Sequence, residues 1–153
     1  MPDCSVVAKS WSELTTTELY AFLKLRTDVF FVEQRIDEEE LDDRDQEPRT
    51  LHFFTADDRG IAAYARVLVD AEPSHRDARH IVGRVVVRQD RRGEGLAKTL
   101  VAAALDAVGP VPVVLHAQHY VASLYAGFGF EAEGDIYLEA GMPHVTMYRA
   151  ALG

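Results

Sequence analysis

"RRGEGLAKTL", residues 91–100, is the stretch on which the reading of this chain turns. Arginines, two glycines, then Lys98 and Thr99 run into apolar sequence, as in loops that hold phosphate groups. Two familiar phosphate loops fail on it. A Walker A loop needs a glycine directly before Lys-Thr and another five positions earlier; here Ala97 precedes Lys98, and Arg92 stands five before Ala97. The dinucleotide fingerprint G-x-G-x-x-G begins at Gly93 and Gly95 but then meets Lys98. The physical signal survives both failures. "HIVGRVVV" (80–87) upstream is rich in β-branched residues and reads as a buried mid-sheet strand. Leu96, Leu100, Val101, Ala104, Leu105 and Val108 downstream fall at helical spacing. A loop between a strand and a helix start offers free backbone N–H groups and the positive end of the helix dipole to an anion. Gly93 and Gly95 let the backbone approach a ligand closely, while Arg88, Arg91, Arg92 and Lys98 add positive charge. A tight turn with basic decoration is the plain alternative; the local basicity favours a diphosphate ligand.

Outward from this loop the pattern is that of an α/β layer structure. "SVVAKSW" (5–11) reads as a first strand. Thr15 and Glu18 make a capping box, and Leu19, Phe22, Leu23 and Phe30 carry a helix to about Phe31. "TLHFFTADDRGIAAYARVLVD" (50–70) gives two strands around an Asp58-Arg59-Gly60 turn, and residues 70–79 form a surface loop. Gly109-Pro110 ends the helix after the glycine loop. "VPVVLHAQ" (111–118) is a strand, "YVASLYAGF" (120–128) a helix closed by Gly129, and "FEAEGDIYL" and "HVTMYRA" a final antiparallel pair. The order is β-α-ββ-β-α-β-α-ββ, with no repeat or linker, so residues 1–153 are expected to form a single domain.

Composition narrows the function. The chain is 48% hydrophobic and 27% charged, ordinary for a soluble globular protein, and no apolar run approaches the ~18 residues of a membrane span. Cys4 is the only cysteine, so no internal disulfide forms, which suits a reducing cytoplasm. The net charge of -9 opposes a nucleic-acid partner. Residues 37–47, "DEEELDDRDQE", hold eight acids and one base. This segment reads either as a solvated loop or short exposed helix, or as a rim that attracts a cationic substrate.

With these residues in view, the sequence resembles the GNAT acyltransferases. Their pyrophosphate loop is [Q/R]-x-x-G-x-[G/A], and "RGEGLA", Arg92 to Ala97, fits it; the lead-in "GRVVVRQDRRGEG" fits the wider signature. A second signature, centred on L-Y-x-x-x-G-F, is matched within "ASLYAGFGF" (122–130). "LRTDVFFVEQ", His52, "YARV", "GRVVV" and "GMPH" resemble the ElaA-like branch. The resemblance implies an α/β (α+β) acyl-CoA N-acyltransferase fold, a mixed but mostly antiparallel sheet of about six to seven strands flanked by helices. It implies direct acetyl transfer from acetyl-CoA to a primary amine, of a small molecule or a protein, without a covalent enzyme intermediate or a metal. A non-catalytic acyl-CoA-binding or regulatory module of the same fold is the alternative. Monomer and homodimer both stay open.

Site residues follow from the same resemblance. Backbone groups of Val85 and Val87 are expected beside the pantetheine and acetyl carbonyl. Arg92, Gly93, Glu94, Gly95, Leu96, Ala97 and Lys98 form the expected diphosphate cradle. His119 stands where many members place a pantetheine-binding asparagine, and Gln118 is the candidate replacement. Tyr125 is the expected general acid, since a phenol with pKa near ~10 can protonate a departing thiolate; a packed aromatic is its bland reading. Glu33, His52, His80 and His144 are the open candidates for the base. His116 and His119, three apart, make no convincing metal site.

Overall fold

"HIVGRVVV" forms the middle strand of a seven-stranded sheet in the computed structural model, which describes residues 5–153. Cys4 lies outside the described residues. The strands are β1 (Val7–Lys9), β2 (Leu51–Asp57), β3 (Gly60–Val69), β4 (His80–Val87), β5 (Val113–Gln118), β6 (Glu131–Glu139) and β7 (Met142–Arg149). They lie in the order β1-β2-β3-β4-β5-β7-β6. Every neighbouring pair is antiparallel except β4 and β5, which are parallel and joined by a crossover helix. The first strand is shorter than "SVVAKSW" suggested, because Trp11–Glu13 turns into a 3-10 helix.

The helices are α1 (Thr16–Arg26), α2 (Leu96–Val108) and α3 (Ala122–Ala126). Thr15 caps α1 through its hydroxyl, which accepts from the Glu18 amide at 3.0 Å, while Glu18 reaches back to the Thr15 amide. The expected helix to Phe31 changes character midway. After Arg26 the chain widens into a π-helical segment, Thr27–Glu33. The Thr27 hydroxyl donates to the Leu23 carbonyl at 2.8 Å and competes for an acceptor the α-helix ladder uses. The third helix is also shorter than expected, since a 3-10 turn at His119–Val121 takes its start.

The two faces of the sheet carry different cores. Leu96, Leu100, Val101, Ala104 and Leu105 of α2 pack with Phe53, Ala63, Ala65, Val67 and Val113 on one face. Phe22, Leu25 and Val29 pack with Phe54, Tyr64 and Val86 on the other. Leu100 is fully buried, so truncating it to alanine would cost about 2–5 kcal/mol.

The acidic segment is a loop, and much of its charge is structural. Asp45 is 5% exposed and accepts from the buried Arg26 (2.7 Å) and Arg66 (2.9 Å). Asp42 pairs with Arg66 at 2.5 Å, and Glu40 bridges Arg26 (2.6 Å) and Arg84 (2.9 Å). The wholly solvated reading of this segment is therefore wrong. Basic residues on α1, β3 and β4 bind the loop down, because burying those guanidiniums requires paired carboxylates.

Candidate active site

β4 and β5 meet only at their beginnings. His80 pairs with Val113 and Ile81 with Val114, and beyond that the strands diverge. A bulge in β4 contributes. Tyr64 pairs with Val86 but Arg66 pairs with Gly83, so β4 carries one residue more than β3 across this interval. Arg84 absorbs it at φ 52°, a conformation that costs a residue with a side chain about 1–3 kcal/mol. The bulge also reverses the faces of the strand. Val82, Val85 and Val87 join the α2 side, whereas Val86 faces α1. Among the described residues the β5-facing edge of β4 has no strand partner from Val82 onward, which frees backbone groups for a ligand.

The divergence opens a cavity of about 810 Å³. Val82–Val87 and Leu115–Gln118 wall it, with Phe30, Phe31 and Glu33 of the π-helical segment and the following Gln34 on one side. Tyr125, His144, Arg92 and Ala97 also line it. Five acidic residues line the space, Glu33, Glu38, Glu39, Glu40 and Glu139, against two arginines, Arg84 and Arg92. Among the described residues no three His, Cys, Asp or Glu side chains group as metal ligands.

The glycine loop adjoins this cavity. Gly93 and Gly95 have φ of 84° and 79°. Gly95 precedes α2 with no side chain capping it, and the first helix bond runs from the Thr99 amide to the Gly95 carbonyl at 3.0 Å. The amides of Leu96, Ala97 and Lys98 consequently have no acceptor within the helix. A Cβ on either glycine would meet no atom within 4 Å, so these residues serve the backbone turn and leave the approach to the amides clear.

The expected free basic patch needs correction. Arg88 pairs with Asp57 and Asp90, each at 2.6 Å. Arg91 pairs with Asp57 at 2.5 Å and with Glu94 at 3.0 Å. Arg92 binds both oxygens of Glu33, at 2.6 and 2.9 Å, and donates through Nε to the Val87 carbonyl at 3.1 Å. Hydrogen bonding from Arg88 holds the Asp57 carboxyl well below its usual range, so these pairs stay ionised. Lys98 is exposed and has no carboxylate partner among the described residues. What the loop offers an anion is therefore its amides, the helix dipole and Lys98, while Arg92 bridges the loop to the π-helical segment.

Tyr125 on α3 is 6% exposed and meets Phe130 edge to face, ring centroids 6.3 Å apart. Burial pushes its phenol up to about 12. Among the described residues its hydroxyl has no hydrogen-bond partner. Gln118 ends β5 and donates to Gln34 Oε1 at 2.9 Å, so its amide joins β5 to the end cap of the π-helical segment. His119 is exposed and does not line the cavity.

The four base candidates separate cleanly. His52 is buried, bonded to the Tyr64 hydroxyl (2.6 Å) and the Asp45 carbonyl (2.9 Å), and stacked on Phe22. Burial lowers its pKa, and it belongs to the core. His80 lies at the start of β4, outside the cavity lining. Glu33 and His144 do line the cavity. Arg84 and Glu40 were missed as site residues. An arginine inside an apolar strand run was the available signal.

Residues 17–150 match the acetyltransferase (GNAT) domain family. The chain belongs to the GNAT acetyltransferases. Protein ElaA of Escherichia coli is 34% identical over 148 residues, covering 92% of this chain and 93% of that protein. A UPF0039 protein of Mycobacterium tuberculosis is 37% identical over 142 residues, covering 92% and 90%. The crystal structure of an acyl-CoA N-acyltransferase from Pseudomonas aeruginosa superposes with a TM-score of 0.85 at 37% identity, covering 95% of this chain and 99% of that one. Crystalline ElaA of Escherichia coli superposes at 0.86 and 32% identity, with coverage of 95% and 99%. This GNAT protein is thus an acyltransferase of the ElaA-like branch, with the acyl-CoA N-acyltransferase fold. Among the described residues, no helix is long and apolar enough to cross a membrane.

Proposed function

We propose that this GNAT enzyme transfers an acetyl group from acetyl-CoA directly to a primary amine that carries positive charge, in the cytoplasm. The observation that carries the reading is the divergence of β4 from β5, with unpartnered β4 backbone on one side and Tyr125 on the other. The diphosphate lies against the amides of residues 93–98. The pantetheine arm enters along Val85 and Val87, with the Gln118 amide at the far wall. Of the five cavity carboxylates, Glu33 and Glu40 are engaged by arginines. Glu38, Glu39 and Glu139 remain to draw a cationic amine toward the thioester.

In the reaction the neutral amine nitrogen attacks the thioester carbonyl. A C–N bond forms, the carbonyl oxygen takes up negative charge beside the β4 backbone, and the C–S bond then breaks. Tyr125 serves the departing sulfur. Pushed up to about 12, the phenol stays protonated at neutral pH. A thiol of pKa ~8.5 is the stronger acid. The hydroxyl therefore acts chiefly by donating a hydrogen bond to the forming thiolate, which solvent finally protonates.

A panel of diamines, aminated aromatics and lysine peptides, each mixed with acetyl-CoA, tests the reading. Free thiol and acetylated amine should appear in equal amounts, fastest with dications. Thiol release without acetylated amine, or exclusive use of longer acyl-CoAs, would overturn it.

A further inference from the structure

Strand β7 presents different chemistry on its two sides. Val145 and Met147 pack with Tyr125 in the α2-side core. His144, one residue before Val145, therefore points to the opposite side of the sheet. There its ring stacks on Tyr137, centroids 6.0 Å apart. His144 pairs in register with Gln118, the last residue of β5, at the wide end of the strand divergence. Both His144 and Tyr125 line the cavity, so the opening receives an imidazole from one face of the sheet and a phenol from the other.

Hydrogen bonding fixes which ring nitrogen is basic. His144 Nδ1 lies 2.8 Å from the Met142 carbonyl oxygen. A carbonyl only accepts, so Nδ1 carries the hydrogen, and Nε2 of the neutral ring keeps its lone pair. The residue is 6% exposed, and among the described residues no hydrogen bond engages Nε2. Glu139 Oε2 stands 3.7 Å from it, beyond hydrogen-bond reach but close enough to stabilise an imidazolium. His116, in the neighbouring row, lacks such a fixed tautomer. Its Nδ1 lies 3.1 Å from Thr146 Oγ1 and 3.2 Å from the Tyr137 hydroxyl, groups that both donate and accept. The Glu33 carboxylate is engaged by Arg92.

We infer that His144 is the general base of the acetyl transfer, an assignment that rests on the amine-acetylation reading above. Nε2 removes a proton from the attacking nitrogen as the C–N bond forms. The C–S electron pair leaves on sulfur, and the imidazolium then returns its proton to solvent. Base and leaving-group donor act from opposite faces of the sheet, so neither obstructs the other. Glu139 and Tyr137 on β6, His116 and Gln118 on β5, Glu38 and Glu39, Tyr120, and the paired Glu33–Arg92 and Glu40–Arg84 share this space with His144 and Tyr125.

The test compares wild type with His144→Gln, using acetyl-CoA and ethylenediamine. Acetyl-CoA should raise the melting temperature of both proteins equally. Wild-type kcat/KM should rise with pH through an imidazole ionisation, because only the neutral ring accepts a proton. His144→Gln should lose ~10²–10⁴-fold in kcat at pH 7, and its profile should keep only the rise that comes from deprotonation of the amine itself. Wild-type turnover with the variant within threefold, imidazole rise intact, removes the base alone; no acetylation by wild type removes the function and the base together. Should the variant not fold, nitrogen-15 shifts of the wild-type ring decide. The Nδ1–H tautomer is expected, and the Nε2–H tautomer overturns the assignment.

Discussion

Asp45→Asn removes one negative charge from between two buried guanidiniums while keeping the side chain's size. Arg26 is fully buried and Arg66 is 3% exposed, and Asp45 accepts from both. Deleting one partner of a buried ion pair typically costs ~3–5 kcal/mol. Glu40 still faces Arg26 and Asp42 still faces Arg66, which softens the loss to about 2–4 kcal/mol. Against a total stability of ~5–15 kcal/mol this is large. At ~2–4 °C per kcal/mol for a chain of this size, the melting temperature should fall by roughly 5–15 °C. Urea unfolding at pH 7 measures it, and the Asp45 backbone carbonyl that binds His52 is untouched. Acid supplies a second arm. Burial alone would raise the Asp45 carboxyl, but hydrogen bonding and charge from Arg26, with charge from Arg66, hold it below its usual range. A depressed carboxylate stabilises the fold above its unfolded value near ~3.9 and loses that contribution as pH falls through its folded value. The gap between wild type and variant should therefore narrow below about pH 4. A difference under about 1 kcal/mol at pH 7, or a gap unchanged in acid, would refute the account of the loop.

Gly95→Val should fold, since a Cβ there meets open space, but at φ 79° it strains the turn and stands over the amides. Acetyl-CoA affinity by calorimetry should fall more than tenfold, and normal affinity would take the loop out of the cofactor site. Tyr125→Phe should bind acetyl-CoA normally and lower kcat by roughly 10–10²-fold, the loss of one hydrogen bond to a charged leaving group; turnover within twofold would make Tyr125 a packing residue. Arg84→Gly should be more stable than Arg84→Ala by about 1 kcal/mol, since only glycine relieves the left-handed bulge. Equal stability of that pair would remove the strain from the bulge.

Local patterns carried the element order into the sequence. The capping box at Thr15, the β-branched run at 80–87 and the helical spacing after Gly95 each report a short-range constraint, and each appears in the structure. The π-helical segment did not show, because Phe30 keeps helical spacing whether or not the turn widens. The bulge at Arg84 was hidden for a different reason. It is set by the pairing of β4 with β3, and "GRVVV" reads as a strand in either register. For the candidate site, the tyrosine and glycine loop were legible as motifs, whereas charge was not. Counting Arg88, Arg91 and Arg92 as a free basic patch overlooked Asp57, Asp90 and Glu33, two of them more than 30 residues away from those arginines. The same distance problem made Asp45 look solvated and left His52 beside His144 as an equal candidate.

The opening between β4 and β5 is proposed to hold acyl-CoA, with the diphosphate on the glycine loop and the thioester near Tyr125. A crystal structure of the complex with coenzyme A measures this directly. Diphosphate oxygens should lie within ~3.2 Å of backbone nitrogens of residues 93–98. The pantetheine should run beside Val85 and Val87, and the sulfur should come within hydrogen-bond reach of the Tyr125 hydroxyl. Coenzyme A bound outside the opening, or threaded there with its sulfur far from Tyr125, would contradict the account.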